Sequence, residues 1–140
     1  MLKKIVYSVV LFSAVLVVSC GSATETGAVE FQETKVVAED ISVDQFKSKI
    51  SEESIILDVR RPIEYQAGHI ANAVNIDFFS PNFLTEVSKL DKSKKILIYC
   101  ASGGRSAGAM KKMSNNGFVE MFNMLGGFGA WKNAKFEYVK

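Results

Sequence analysis

Apolar and polar positions along the chain separate into short continuous runs and stretches with helical spacing. Residues 54–59 (SIILDV) form a brief apolar run rich in β-branched side chains, the pattern of a buried strand. Residues 96–99 (ILIY) form a second such run, and residues 119–124 offer a third. Between them the period changes. Val43, Phe46 and Ile50 share one helical face, opened by Ser42-Val43-Asp44-Gln45, a capping box in which serine and glutamine exchange hydrogen bonds. Phe83, Leu84, Val87 and Leu90 fall at helical spacing over residues 83–90. Residues 106–116 read as a helix with Ala107, Met110 and Met113 inward, stopped by Asn115-Asn116-Gly117. Leu125-Gly126-Gly127 reads as a turn, and residues 128–134 as a short last helix carrying Trp131.

Helices that alternate with short, wholly apolar strands predict an α/β domain. Its central sheet is mostly parallel, with helices on both faces. Ligands in such sheets bind beyond the carboxyl ends of the strands. Cys100 follows the run 96–99 directly, so it stands at such an end.

The amino-terminal segment has a different character. Residues 5–18 are apolar apart from Tyr7, Ser8 and Ser13, and follow Lys3 and Lys4. These fourteen residues are short against the roughly 20 of a membrane-spanning helix. A charged start, a short apolar stretch and small residues at the exit predict a secretory signal. Its end, Val17-Val18-Ser19-Cys20, resembles the bacterial lipobox, in which the cysteine is lipidated and becomes the mature amino terminus. The expected organisation is therefore a signal peptide over residues 1–19, a lipidated terminus and flexible tether over 20–38, and one folded domain over 39–140. Such a protein is exported and held at the cell envelope through lipid on Cys20, facing the periplasm. An uncleaved anchor, or a plain signal cut elsewhere, is the alternative. Cleavage would change the meaning of the net charge. Of 17 basic and 15 acidic residues, Lys3 and Lys4 leave with the signal, so the mature chain is balanced. That balance argues against nucleic acid as a partner, and Lys92-Ser93-Lys94-Lys95 reads as a solvated loop. With Cys20 consumed, Cys100 is a lone thiol in an exported domain, where cysteines ordinarily pair.

The stretch Cys100-Ala101-Ser102-Gly103-Gly104-Arg105-Ser106 carries the chemistry. A thiolate is the nucleophilic form of cysteine, and three features here favour it. The loop leads into a helix, whose free amides point back at the sulfur. Gly103 and Gly104 let successive amides converge in an anion-binding nest. Arg105 adds a fixed positive charge. Ser102 and Ser106 contribute hydroxyls. The loop is built for an anion or a negatively charged sulfur.

This loop resembles the active-site loop of the rhodanese family of sulfurtransferases, Cys-x-x-Gly-x-Arg-Ser. Leu57-Asp58-Val59-Arg60 is similar to the family's Asp-Val-Arg strand end, and Glu64-Tyr65-Gln66-Ala67-Gly68-His69-Ile70 to its Glu-(Tyr/Phe)-x-x-Gly-His-Ile. Ala73, Asn75-Ile76, Leu125-Gly126-Gly127 and Trp131 continue the match over about residues 40–138. The resemblance implies a rhodanese-like fold, no cofactor and a two-step transfer with ping-pong kinetics. Cys100 takes sulfur from an anionic donor such as thiosulfate to form a persulfide. Cyanide or a thiol then accepts it. The amides of residues 101–105 cradle the outer sulfur, and Arg105 steadies the loop and attracts the donor. A module that carries sulfur, or senses redox state, for a protein partner is the alternative. A phosphatase ranks below both, because the spacing here is Cys-x4-Arg and phosphatases of this type have Cys-x5-Arg.

Asp58 and Arg60 are read as a structural pair fixing the loop of residues 60–70, with substrate contact as the second reading. His69 is the chain's one histidine and is read as architectural. No spacing of ligands suggests a metal site. Phe128 and Trp131 are expected in the core, and Phe78-Phe79 either rims the site or packs.

Overall fold

A computed structural model describes residues 35–140. The signal peptide, Cys20 and all but the end of the tether lie outside the described residues. Ten elements follow in chain order: β1 (Val37–Ile41), α1 (Val43–Ser48), β2 (Ile55–Asp58), α2 (Pro62–Gln66), β3 (Val74–Asn75), α3 (Phe83–Val87), β4 (Ile96–Tyr99), α4 (Gly104–Ser114), β5 (Glu120–Met124) and α5 (Gly127–Asn133). The five strands form one sheet in the order β1-β5-β4-β2-β3, and each pairing is parallel.

Burial on both faces explains why the inner strands read as unbroken apolar runs. Along β4 the side chains alternate between two cores. Ile96, Ile98 and Cys100 join Phe83, Val87, Ala109 and Met113 under α3 and α4. Leu97 and Tyr99 join Phe46, Phe128 and Trp131 under α1 and α5. Cys100 thus continues the α4 side of the sheet, and Phe128 and Trp131 are core residues as expected.

The capping box forms: Gln45 N–H donates to Ser42 Oγ at 3.2 Å, and Ser42 N–H to Gln45 Oε1 at 2.9 Å. Asn115 caps the end of α4, and Gly117 turns the chain with φ 87°. One inward assignment needs correction, that of Ala107. Helix α4 starts at Gly104 and buries Ser106, Ala109 and Met113; Met110 packs against the same core from its edge, while Ala107 is only half-buried. The cysteine loop sets the phase of this helix, so a polar serine faces inward where a purely apolar pattern would skip it. Leu84 is exposed, because α3 presents only Phe83 and Val87 to the core.

Three elements have no counterpart in the sequence pattern. Strand β1 is an edge strand with three exposed residues of five; its start at Val37 lies ahead of residue 39. No residue of helix α2 is fully buried. Strand β3 is two residues long.

Candidate functional site

Cys100 stands one residue beyond β4, and the chain then turns around its own sulfur. Gly103 adopts φ 101°, a backbone that side-chain-bearing residues rarely take. That turn aims the Gly103 N–H at Cys100 Sγ, at 3.1 Å. The Ser106 hydroxyl lies 3.4 Å from the same sulfur and 3.0 Å from the Gly103 carbonyl. It has one proton, so it donates to one of them at a time. Burial pushes the Cys100 thiol up. The Ser106 hydroxyl, then the amides of Ser106, Ser102 and Gly103, pull it down further, so its pKa lies below the ordinary thiol value. The residue is almost wholly buried at 1 % exposure, while Ser102 and Gly104 on the same loop are exposed.

Two other elements hold the loop from outside. At the start of α5 the Phe128 N–H donates to the Cys100 carbonyl at 2.7 Å, and the Gly129 N–H to the Ala101 carbonyl at 3.0 Å. From β5, the Asn123 side-chain amide donates to the Gly103 carbonyl at 3.3 Å and to Asp40 at 2.8 Å. The Leu125-Gly126-Gly127 turn makes this possible by letting the α5 backbone come against the loop.

Arg105 is anchored by a carboxylate, and it lies near enough to Cys100 for that residue to favour its charge as well. Its guanidinium makes a two-pronged pair with Glu64, at 2.8 and 2.9 Å. This pairing keeps the Glu64 carboxyl at a pKa of about 2, against an opposing effect of burial. It also raises Arg105 further above its ordinary value. Of the two roles that the resemblance implies for Arg105, loop support is the one this contact serves. Glu64 lies within the matched motif, but its partner is 41 residues away, and no local pattern announces the pairing.

A depressed carboxyl pKa has a direct consequence for stability. Because the folded value lies below the unfolded one, the contribution is complete above pH 4.5 and is lost as the pH falls toward about 2. Both groups are partly exposed, so it amounts to no more than about 1 kcal/mol. Glu64→Gln is expected to lose this acid limb, as urea unfolding midpoints across that window would show. A variant with the wild-type pH dependence would exclude the pairing. Turnover is expected to fall too, as Arg105 loses its tether.

Asp58 and Arg60 form a buried ion pair. Arg60 Nε lies 3.0 Å from both Asp58 oxygens, and its Nη2 also donates to the Gly68 carbonyl at 2.7 Å. Both are buried, and the Asn75 side chain bridges the carbonyls of Asp58 and Arg60. The pair ties the end of β2 to the turn at Gly68 that follows α2, the helix that carries Glu64. The Arg60 guanidinium also lies over the Phe128 ring, 4.2 Å from its centroid. His69 has an architectural place. Its backbone exchanges hydrogen bonds with Val139 and its ring stacks on Tyr65. The aromatic pair divides: Phe78 packs against the core, and Phe79 is exposed, 5.9 Å from the Arg105 guanidinium.

Next to the loop is a cavity of about 340 Å³ lined by Arg60, Glu64, Ala67, Gly68, Ala101, Phe128, Gly129, Lys132 and Tyr138. Its size is that of a small-molecule site. Lys132 and Tyr138 carried no signal in the sequence; only the packing of the carboxyl-terminal segment places them here. Among the described residues no cluster of His, Cys, Asp or Glu could hold a metal ion.

A model of the rhodanese-like domain matches residues 42–134. Thiosulfate sulfurtransferase GlpE of Coxiella burnetii is 36% identical over 78 residues, which cover 56% of this chain and 71% of that protein. The putative sulfur carrier protein YrkF of Bacillus subtilis is 39% identical over 98 residues, 66% of this chain and 50% of that protein. Among solved structures, a rhodanese-related protein from Thermoplasma volcanium superimposes with a TM-score of 0.65 at 30% identity, covering 72% of this chain and 97% of that one.

Proposed function

This chain belongs to the rhodanese family, and from that premise we propose that it is a sulfurtransferase that works through a persulfide on Cys100. The observation that carries the reading is the sulfur of Cys100 enclosed by its own loop, with the Gly103 amide at 3.1 Å and the Ser106 hydroxyl at 3.4 Å. Donors aimed at a buried sulfur favour the thiolate, the nucleophilic form.

In the first step the Cys100 thiolate attacks the sulfane sulfur of thiosulfate. The donor's S–S bond breaks, sulfite leaves with the electron pair, and the enzyme holds a persulfide anion. The amides of Ser102, Gly103 and Ser106 face that charge, and the Ser106 proton can turn from the Gly103 carbonyl toward sulfur. In the second step cyanide or a thiolate attacks the outer sulfur, and Cys100 leaves as thiolate. No oxidant is consumed. Glu64 and Arg105 hold the loop, Asp58 and Arg60 hold the segment that carries Glu64, and no cofactor takes part.

Likeness to a protein named as a sulfur carrier favours a second reading. In it Cys100 stores sulfur and passes it only to a partner protein. We further propose that lipid on Cys20 holds the domain at the cell envelope, on the strength of Val17-Val18-Ser19-Cys20 after a short apolar stretch.

One mass measurement on protein from its own cells tests these together. A diacylglyceryl mass on an amino-terminal Cys20 is expected, and one added sulfur on the Cys100 peptide after thiosulfate. Thiocyanate release on adding cyanide then favours the enzyme, and sulfur that moves only to a protein favours the carrier. A Cys100 peptide that never gains sulfur overturns both.

A further inference from the structure

We infer that Lys132 is the residue that recognises charge on the sulfur acceptor, anchoring the carboxylate of an acidic organic thiol in the cavity beside the Cys100 loop. The inference rests on the sulfur-transfer reading above and deepens it. It starts from how the charges around the cavity are committed. Arg60 is held by Asp58 and the Gly68 carbonyl. The Glu64 carboxylate is held by Arg105. Lys132 forms no ion pair among the described residues; its ammonium lies 5.5 Å from the centre of the Phe128 ring. It is the cation of this wall left for a ligand.

Its place on α5 links it to the reacting loop. Phe128 and Gly129, four and three residues earlier, are the residues whose amides grip the Cys100 and Ala101 carbonyls. Residues at these spacings share a helix face. The helix that fixes the loop therefore also fixes the base of the lysine side chain.

The remaining lining argues for carbon in the ligand. Ala67, Ala101, Phe128 and Tyr138 provide apolar surface. The volume of about 340 Å³ exceeds what the five heavy atoms of thiosulfate fill, since one water accounts for about 30 Å³ of liquid. A short thiol with a carboxylate fits both features. Its thiolate attacks the outer persulfide sulfur, a new S–S bond forms, the old one breaks, and Cys100 leaves with the electron pair.

The test compares mercaptosuccinate with 2-mercaptoethanol as acceptors for the thiosulfate-loaded, full-length chain. The readout is the ratio of their kcat/KM values. Lys132→Ala is expected to lower this ratio about fivefold, the range of an exposed ion pair. Lys132→Arg should restore most of it, and salt near 1 M should shrink the wild-type ratio. The same ratio in wild type and Lys132→Ala overturns the inference. Titration of the isotope-labelled chain with mercaptosuccinate gives a readout without turnover, through the amide shift of Gly129. A shift that survives Lys132→Ala also overturns it. A Lys132-dependent shift in a protein that transfers no sulfur would instead overturn the sulfurtransferase reading and leave the anion site standing.

Discussion

Cys100→Ser is expected to lower thiosulfate-dependent thiocyanate formation by at least about a thousandfold, with the fold intact. Serine has nearly the shape of cysteine and can accept from the same Gly103 amide. Its hydroxyl cannot become a comparable nucleophile at neutral pH, and the covalent intermediate is lost with it. Thermal unfolding followed by circular dichroism should stay close to wild type, which separates chemistry from folding. The wild type should show a matching pH profile. Because loop donors lower the thiol pKa, the thiolate is present at and above that lowered value and lost as the pH falls through it. The rising limb of turnover should lie below the pH at which an ordinary thiol ionises. A Cys100→Ser variant that still turns over would sink the mechanism.

Gly127→Ala is expected to damage stability and turnover together. Gly127 has φ 54°, a left-handed backbone that costs a side-chain-bearing residue about 1–2 kcal/mol. A Cβ there would also overlap the Cys100 carbonyl, and lie 2.6 Å from the Ala101 carbonyl carbon and 2.7 Å from the Ser102 nitrogen. These are backbone atoms, so relief requires moving the loop. Overpacking of this kind adds about 1–3 kcal/mol, for a total of about 2–5 kcal/mol. For a domain of this size the unfolding temperature should drop by about 10 °C or more. Where the variant folds, the α5 amides no longer grip the loop and turnover should fall with it. Gly104→Ala is the stability control, since a Cβ there meets nothing within 4 Å. If Gly127→Ala kept the wild-type unfolding temperature, the close approach of α5 to the loop would be wrong.

Both predictions turn on the same stretch of backbone, yet the two residues were unequally legible in advance. Cys100 could be placed from the chain alone, because an apolar run before it and a glycine turn after it are local patterns. Gly127 could be read as part of a turn, but the atoms that exclude a Cβ there belong to residues 100–102. The same contrast runs through the fold. Strands β2, β4 and β5 were visible as apolar runs because both of their faces are buried. Strand β1 was hidden because an edge position leaves three of its five residues exposed. Helix α2 was hidden because none of its residues is fully buried; its work is to hold Glu64 toward Arg105.

Local physics was thus enough to determine the alternation of strands and helices, the capping box at Ser42, and a cysteine loop shaped for an anion. Backbone dihedral preferences and side-chain period act over a few residues and leave their mark in order along the chain. Tertiary structure alone decided that Arg105 is committed to Glu64, that α5 grips the loop, and that Lys132 stands beside it. These pairings join residues far apart in sequence, and are selected by burial and charge compensation once the sheet has closed. Nothing in the immediate neighbourhood of either partner encodes them.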